Sequence, residues 1–232
     1  MNQIQKIYDI LLNEFGHQGW WPVTPTCCID NELRPSYGIK SKTDKQCFEI
    51  MLGAILTQNT SWKNVEKAIE SLNKHSMVDI DKILKSNTSQ LANLIKPSGY
   101  YNQKAERLKI ITDFLKKNPL TKLKHIETPE LRKQLLSLKG IGPETADSIL
   151  LYALERPIFV IDAYTKRIFA ALGYKANSYD EWQNLFMDNL PKDHTLFNEY
   201  HALLVELAKK NCKKVPICNG CSINEICKNK KV

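Results

Sequence analysis

Apolar residues recur every three or four positions through most of this 232-residue chain, the period of helices that bury one face. Ile4, Ile7, Tyr8, Leu11 and Phe15 share a face over residues 1–15. Between residues 16 and 39 the period is lost to Gly16, Gly19, Pro22, Pro25, Pro35 and Gly38, which mark a loop. It returns over about 44–58, 61–74, 78–85, 88–95 and 101–117, and again near 128–138, 143–154, 163–172, 179–189 and 195–210. The 44–58 segment is strongly apolar, with Phe48, Ile50, Met51, Leu52, Ala54, Ile55 and Leu56, and ends in the polar run Thr57-Gln58-Asn59-Thr60. The chain therefore reads as all-α. It has no internal repeat and no low-complexity tract, and no stretch reaches the ~18 apolar residues of a membrane span.

One interruption in this pattern carries chemistry. An apolar run ends at Lys139, Gly140-Ile141-Gly142 follows, and Pro143 opens a second run through Ala146, Ile149, Leu150, Ala153 and Leu154. Proline at the first helical position with glycines just before it predicts helix, tight hairpin, helix. The glycines allow positive φ and close approach of another chain. The N–H groups opening the second helix have no internal partner and can hold a phosphate oxygen without reading a base. An ordinary helix–helix turn has the same composition. Some twenty residues on, Asp162 ends the apolar run Phe159-Val160-Ile161 and precedes a helix through Arg167, Ile168 and Ala171. It is placed to cap that helix, a position that also keeps a carboxylate ionised.

Charge and cysteine usage narrow the partner. Lys and Arg number 33 against 25 Asp and Glu, a net charge of +8. That balance fits a nucleic-acid partner without requiring one. The N-terminal segment is amphipathic and lacks a signal peptide's order, so a cytoplasmic, nucleoid-associated protein is expected. Of seven cysteines, four fall in the last 21 residues as Cys212-x5-Cys218-x2-Cys221-x5-Cys227. In a reducing compartment such clustering argues for metal before disulfide. A four-cysteine zinc site usually has two Cys-x2-Cys knuckles and only one is present, whereas a 4Fe–4S cluster tolerates one close pair with wider arms. A 4Fe–4S cluster is expected, with zinc as the alternative. Lys213 and Lys214 lie inside the first interval, with Lys209, Lys210, Lys228, Lys230 and Lys231 around it, where a metal-tied loop would offer them to phosphates. Cys27, Cys28 and Cys47 match no ligand spacing and read as small apolar residues.

The segments Leu138-Lys139-Gly140-Ile141-Gly142, Glu144-Thr145-Ala146 and Val160-Ile161-Asp162 resemble the endonuclease III superfamily of helix–hairpin–helix DNA glycosylases. Leu56-Thr57-Gln58-Asn59-Thr60 and Pro97-Ser98-Gly99-Tyr100-Tyr101-Asn102-Gln103-Lys104-Ala105 extend the resemblance over nearly the whole chain. It implies a two-domain helix–hairpin–helix glycosylase fold. A six-helix barrel domain would span residues 40–156, and 1–39 with 157–232 would form the helical iron–sulfur domain, with DNA and the target base between them. The spacing of the cysteines resembles the superfamily's cluster loop, although its first interval is five residues where six is usual.

By the same resemblance Asp162 is the catalytic carboxylate. Lys139, Gly140, Gly142 and Thr145 would bind DNA with Lys213 and Lys214, and Gln58, beside Asn59, would enter the gap left by a flipped nucleotide; a plain helix cap is the simpler reading of Gln58. Many bifunctional members carry lysine where this chain has Glu144, so the Schiff-base amine is missing from its usual place. Within the superfamily, Trp20-Trp21-Pro22, Phe48-Glu49 and Leu52-Gly53-Ala54 look most like the 3-methyladenine DNA glycosylase branch. There Trp20 and Phe48, with Trp21 beside them, would enclose the flipped base, though two adjacent tryptophans also suit a satellite hydrophobic cluster. The expected function is hydrolysis of the N-glycosidic bond of an alkylated base in double-stranded DNA, by a monomer, leaving the strand intact. The rivals are a glycosylase/AP lyase acting on oxidised, deaminated or mismatched bases, and a metal-tied DNA-binding module without chemistry.

Overall fold

The computed structural model describes residues 2–26, 33–39 and 42–228. In chain order its helices are α1 (Gln3–Phe15), α2 (Asp44–Leu56), α3 (Trp62–Lys74), α4 (Ile80–Lys85), α5 (Thr88–Leu94), α6 (Tyr101–Lys117), α7 (Leu120–Leu123), α8 (Thr128–Leu136), α9 (Pro143–Ser148), α10 (Ala163–Ala171), α11 (Tyr179–Met187) and α12 (His194–Lys210). Short 3-10 turns occur at Lys96–Ser98 and Asn224–Ile226, and a π-helical turn, Ile149–Ala153, continues α9. Among the described residues the only β pairing is an isolated bridge between Val23 and Ser36. No helix among them is long and apolar enough to cross a membrane.

The chain divides into two compact units, Met1–Trp20 with Glu155–Val232, and Trp21–Leu154. In the first, α1 packs on α12 and α10 packs on α12. Ile4, Ile7 and Leu11, the apolar stripe of α1, are buried. The centre is aromatic: Phe159 stacks on Phe186 with ring centroids 3.9 Å apart, and Phe197 and Tyr200 meet Phe159 edge-on. The Tyr200 hydroxyl, buried among these rings, donates to the Ile4 carbonyl at 2.8 Å, so the one polar atom is satisfied.

In the second unit α2 is the axis. A capping box between Thr43 and Gln46 starts it, and every residue from Gln46 to Leu56 is buried. A helix this apolar needs neighbours on all sides, and the π turn, α3 and α6 supply them. Trp21–Leu154 also takes in the described residues 21–26 and 33–39, which the sequence reading grouped with the other unit. The reason is side-chain anchoring. The Trp21 indole lies against Gly53 of α2, where an added Cβ would come within 3.1 Å of the ring. Trp21 also meets Trp62 edge-on and Tyr152 at 5.1 Å. Thr24 is held by its N–H to Glu49 and by its carbonyl, which accepts from Gln46.

Two local differences from the periodicity have simple causes. Helix α7 is a single turn, too short to show a repeat. The expected helix over 143–154 is α-helical only through Ser148, after which Leu154 N–H reaches back five residues to the Ile149 carbonyl at 3.2 Å.

Candidate functional site

The hairpin lies between α8 and α9. Ile141 N–H bonds back to the Leu138 carbonyl, Gly140 takes φ +86°, and Gly142 is extended as the N-cap of α9. Ile141 is buried and anchors the turn, while Lys139, Gly140, Gly142 and Glu144 are exposed. No side chain caps α9, so its first N–H groups are not taken by a capping oxygen.

Gln58 closes on this turn. Its Nε2 donates to the Gly140 carbonyl at 3.1 Å and to the Thr145 hydroxyl at 2.9 Å. Arg107 of α6 donates through Nη1 to the Gln58 Oε1 and lies across Gly140, where a Cβ would fall 2.5 Å from its Nε. The loop holding Gln58 is tied down from behind by Lys104, whose buried ammonium donates to the Leu56 carbonyl at 2.9 Å and the Ser98 carbonyl at 2.6 Å. Burial, with the charge of Arg107, lowers the Lys104 pKa to about 8. Asn59 and Tyr100, in the two loops that Lys104 joins, have φ of 53° and 46°. Such values are uncommon without glycine, although asparagine tolerates them. The Tyr100 ring is 66% exposed.

The aromatic candidates fall in different places. Trp21 and Phe48 are buried core members of the second unit. Phe48 also lines a cavity of about 530 Å³ with Lys45, Val78 and Leu115. Its neighbour Glu49 is buried, which raises its pKa, although Asn73 and the Thr24 N–H bond the carboxylate. Trp20 belongs to the first unit, where it is half-buried and Lys209 Nζ sits 6.0 Å from its ring centroid.

In that first unit Asp162 caps α10, accepting from the Thr165 N–H at 2.7 Å through Oδ1. Its Oδ2 is 3.7 Å from His201 Nε2 of α12, and the two side chains are 13% and 10% exposed. Burial acts to raise the Asp162 pKa, but His201 and the Thr165 N–H outweigh it and hold the carboxyl below its ordinary value.

Beyond α12 the four C-terminal cysteines line one cavity of about 220 Å³ together with Arg167, Ile168, Pro216 and Ile217. Burial raises the Cys212 and Cys221 thiol pKa values, and the other cysteines add to it. Arg167 donates to the Cys212 carbonyl at 2.7 Å. Lys213 and Lys214 are exposed on this loop, and Lys228 lies over Gly173, a glycine at φ +93°. Lys210 is paired with Glu14 at 2.7 Å. Among the described residues no three His, Cys, Asp or Glu side chains converge closely enough to hold a single metal ion. Cys47 is buried in α2, whereas Cys27, Cys28, Lys230 and Lys231 lie outside the described residues.

Residues 52–192 match the model of the "HhH-GPD superfamily base excision DNA repair protein" family. A protein of Methanocaldococcus jannaschii named "Putative DNA repair glycosylase" is 46% identical, over 98% of this chain and 96% of its own. The chain belongs to the HhH-GPD superfamily. Endonuclease III of Sulfolobus acidocaldarius is 30% identical over 86% of this chain and 89% of its own. The 3-methyladenine DNA glycosylase (MagIII) of H. pylori, bound to ethenoadenine, superposes with a TM-score of 0.68 at 28% identity, covering 90% of this chain and 98% of that one. An endonuclease III trapped covalently on DNA has the same fold, with a TM-score of 0.74 at 18% identity over 99% and 97% of the two chains.

As an HhH-GPD protein the chain is a DNA glycosylase of base-excision repair. The structure brings Gln58, Gly140 and Thr145 together in one unit, and the four cysteines with Lys213 and Lys214 in the other. Sequence reading missed Arg107, His201 and the tie made by Lys104. A basic face on α6 was the one signal for Arg107; a histidine inside an apolar helix gave none for His201.

Proposed function

We propose that the protein hydrolyses the N-glycosidic bond of an alkylated, 3-methyladenine-like base and leaves the strand intact. The observation that carries this reading is Asp162, a buried carboxylate kept ionised at a helix N-terminus by the Thr165 N–H and His201. Loss of the base leaves positive charge on the sugar, and a fixed carboxylate stabilises it. At ~4 Å and an effective dielectric of ~20 one such charge is worth about 4 kcal/mol, or roughly a thousandfold in rate. The glycosidic pair of electrons leaves with the base, which departs neutral if it was alkylated. Water bonds to the sugar carbon and gives its proton to Asp162 or to solvent, and the product is an abasic site.

Glu144 supports the monofunctional reading: by the family resemblance it stands where many bifunctional members carry lysine, and it is exposed on the first turn of α9. Similarity to the H. pylori 3-methyladenine enzyme supports the alkylated base. An aromatic surround would add stacking of ~1–3 kcal/mol per base and a cation–π preference for a charged purine. Trp20, which is half-buried, is the candidate for that surround. Gln58 would fill the space of the extruded nucleotide, with the hairpin N–H groups and the lysines of the cysteine loop on the phosphates.

Cys212, Cys218, Cys221 and Cys227 line one cavity, and their single Cys-x2-Cys pair with wider arms suits a 4Fe–4S cluster better than zinc. When bound, such a group would tie the loop so that Lys213 and Lys214 meet phosphates in fixed positions. A panel of single-lesion duplexes tests the substrate. Release of 3-methyladenine ahead of oxidised pyrimidines, uracil or mismatched thymine, with no adduct trapped by borohydride, is expected. A trapped adduct would overturn the monofunctional reading, and failure to release any alkylated base would overturn the substrate.

A further inference from the structure

Both Nε2 hydrogens and the carbonyl oxygen of Gln58 are engaged by the protein, two with the hairpin and one with Arg107. A glutamine that must enter DNA is here held flat against the element that would grip the backbone. Arg107 reaches that point only because residue 140 has no side chain, since its Cγ and Cδ lie 2.7 Å from where a Cβ would be. Gly140 therefore serves the turn through its positive φ and the arginine through the space it leaves. The guanidinium also reaches Gln103 Oε1 at 3.4 Å, a contact within its own helix.

We infer that Arg107 is a positioning residue that latches Gln58 to the hairpin, so that gripping a phosphate and releasing the glutamine are one event. The inference rests on the reading of Gln58 as the gap-filling residue. An anion held by the first N–H groups of α9 would meet Thr145, whose hydroxyl Gln58 now occupies, at the turn that Arg107 lies across. With both partners charged, a guanidinium–phosphate bond is stronger than the guanidinium's bond to a neutral amide oxygen, so the arriving phosphate takes Arg107 from Gln58. The amide then loses its acceptor partner and the loop, already at left-handed Asn59, is released toward the duplex. Before contact with DNA the same latch keeps the glutamine from sampling open conformations.

The test is a double-mutant cycle of Arg107→Met and Gln58→Ala, with Arg107→Lys as a conservative variant. The probe is a duplex carrying a tetrahydrofuran abasic analogue opposite 2-aminopurine, whose fluorescence reports glutamine insertion without any excision. Arg107→Met is expected to weaken duplex affinity and to reduce the slope of log affinity against log salt by about one. It should nonetheless speed the fluorescence change by about tenfold, the worth of one charge-assisted bond, and should have no effect on that rate in the Gln58→Ala background. Arg107→Lys should restore the salt slope but not the slow insertion, because a lysine lacks the fork. A merely misfolded variant would lose affinity and rate together. Slower insertion in Arg107→Met, an equal change in the Gln58→Ala background, or no fluorescence change in the unsubstituted protein would each overturn the latch. A protein that excises no base yet shows the coupling would sink the glycosylase reading alone.

Discussion

Replacing Arg132 by methionine should destabilise the protein by about 3–5 kcal/mol, an effect that locates the brace behind the hairpin. Arg132 of α8 grips Asp147 of α9 with two prongs, Nε to Oδ1 at 2.7 Å and Nη2 to Oδ2 at 3.2 Å. The Asp147 side chain is fully buried and that of Arg132 is 19% exposed. At 2.7 Å and an effective dielectric of ~20 the attraction is about 6 kcal/mol, most of it offset by the desolvation of both groups. Removing the guanidinium leaves that desolvation in place without these two bonds to offset it. Urea unfolding measures the loss, and for a chain of this size each kcal/mol lowers Tm by roughly 2–4 °C. Arg132→Met with Asp147→Asn should regain at least half of the deficit, because the buried charge and its desolvation are gone. A single variant within ~0.5 kcal/mol of the parent, or a double variant no better than the single, would refute the reasoning.

Asp162→Asn keeps an oxygen to accept from the Thr165 N–H, so stability should move by less than ~1 kcal/mol while single-turnover excision falls about a thousandfold. Because the Asp162 pKa is depressed, its ionised form and the stability it confers are present above the ordinary carboxylate value. Both are lost only as pH falls through the lower folded value, so the acid limb of the excision profile attributable to this group should lie below the ordinary range. For Lys104 the sign is opposite. Its folded pKa of about 8 lies below the usual 10.5, so the unfolded chain binds more protons between those values, and this group's contribution to stability rises with pH. The stability gap between the parent and Lys104→Met should therefore widen between pH 7 and pH 10 in urea melts. Freshly purified protein should show broad visible absorption that Cys218→Ser diminishes, and a colourless protein with one equivalent of zinc would reverse the assignment of the cysteine cavity.

What could be read from the chain alone was local. The hairpin is written in Gly140, Gly142 and Pro143 within four positions, and Asp162 as a cap precedes an apolar helix that needs one. Helix α2 declares its burial in the run from Ile50 to Leu56, which holds no polar side chain until Thr57. Pairings between distant elements left no such trace: Arg107 to Gln58 spans 49 residues and Arg167 to the Cys212 carbonyl 45. His201 is a polar residue on a helix whose neighbours Ala202, Leu203 and Leu204 are core, and only the folded chain brings its ring to Asp162. For the pair Trp20-Trp21 the sequence left a hydrophobic cluster and a base-facing indole both open. The two indoles belong to different units, and Trp21 is spent on packing against Gly53, Trp62 and Tyr152.

The π turn at Ile149–Ala153 has a consequence for how this chain can change length. It holds one residue more than an α-helical path over the same rise would use, and that surplus is stored where nothing reaches solvent. Cutting a single residue there would let the backbone rewind, turning everything on one side by about 100° against the other and taking Tyr152 out from under Trp21. Descendants of this sequence can therefore trim or extend their exposed connections freely, but a one-residue deletion at this point demands that a whole buried surface be recut at once.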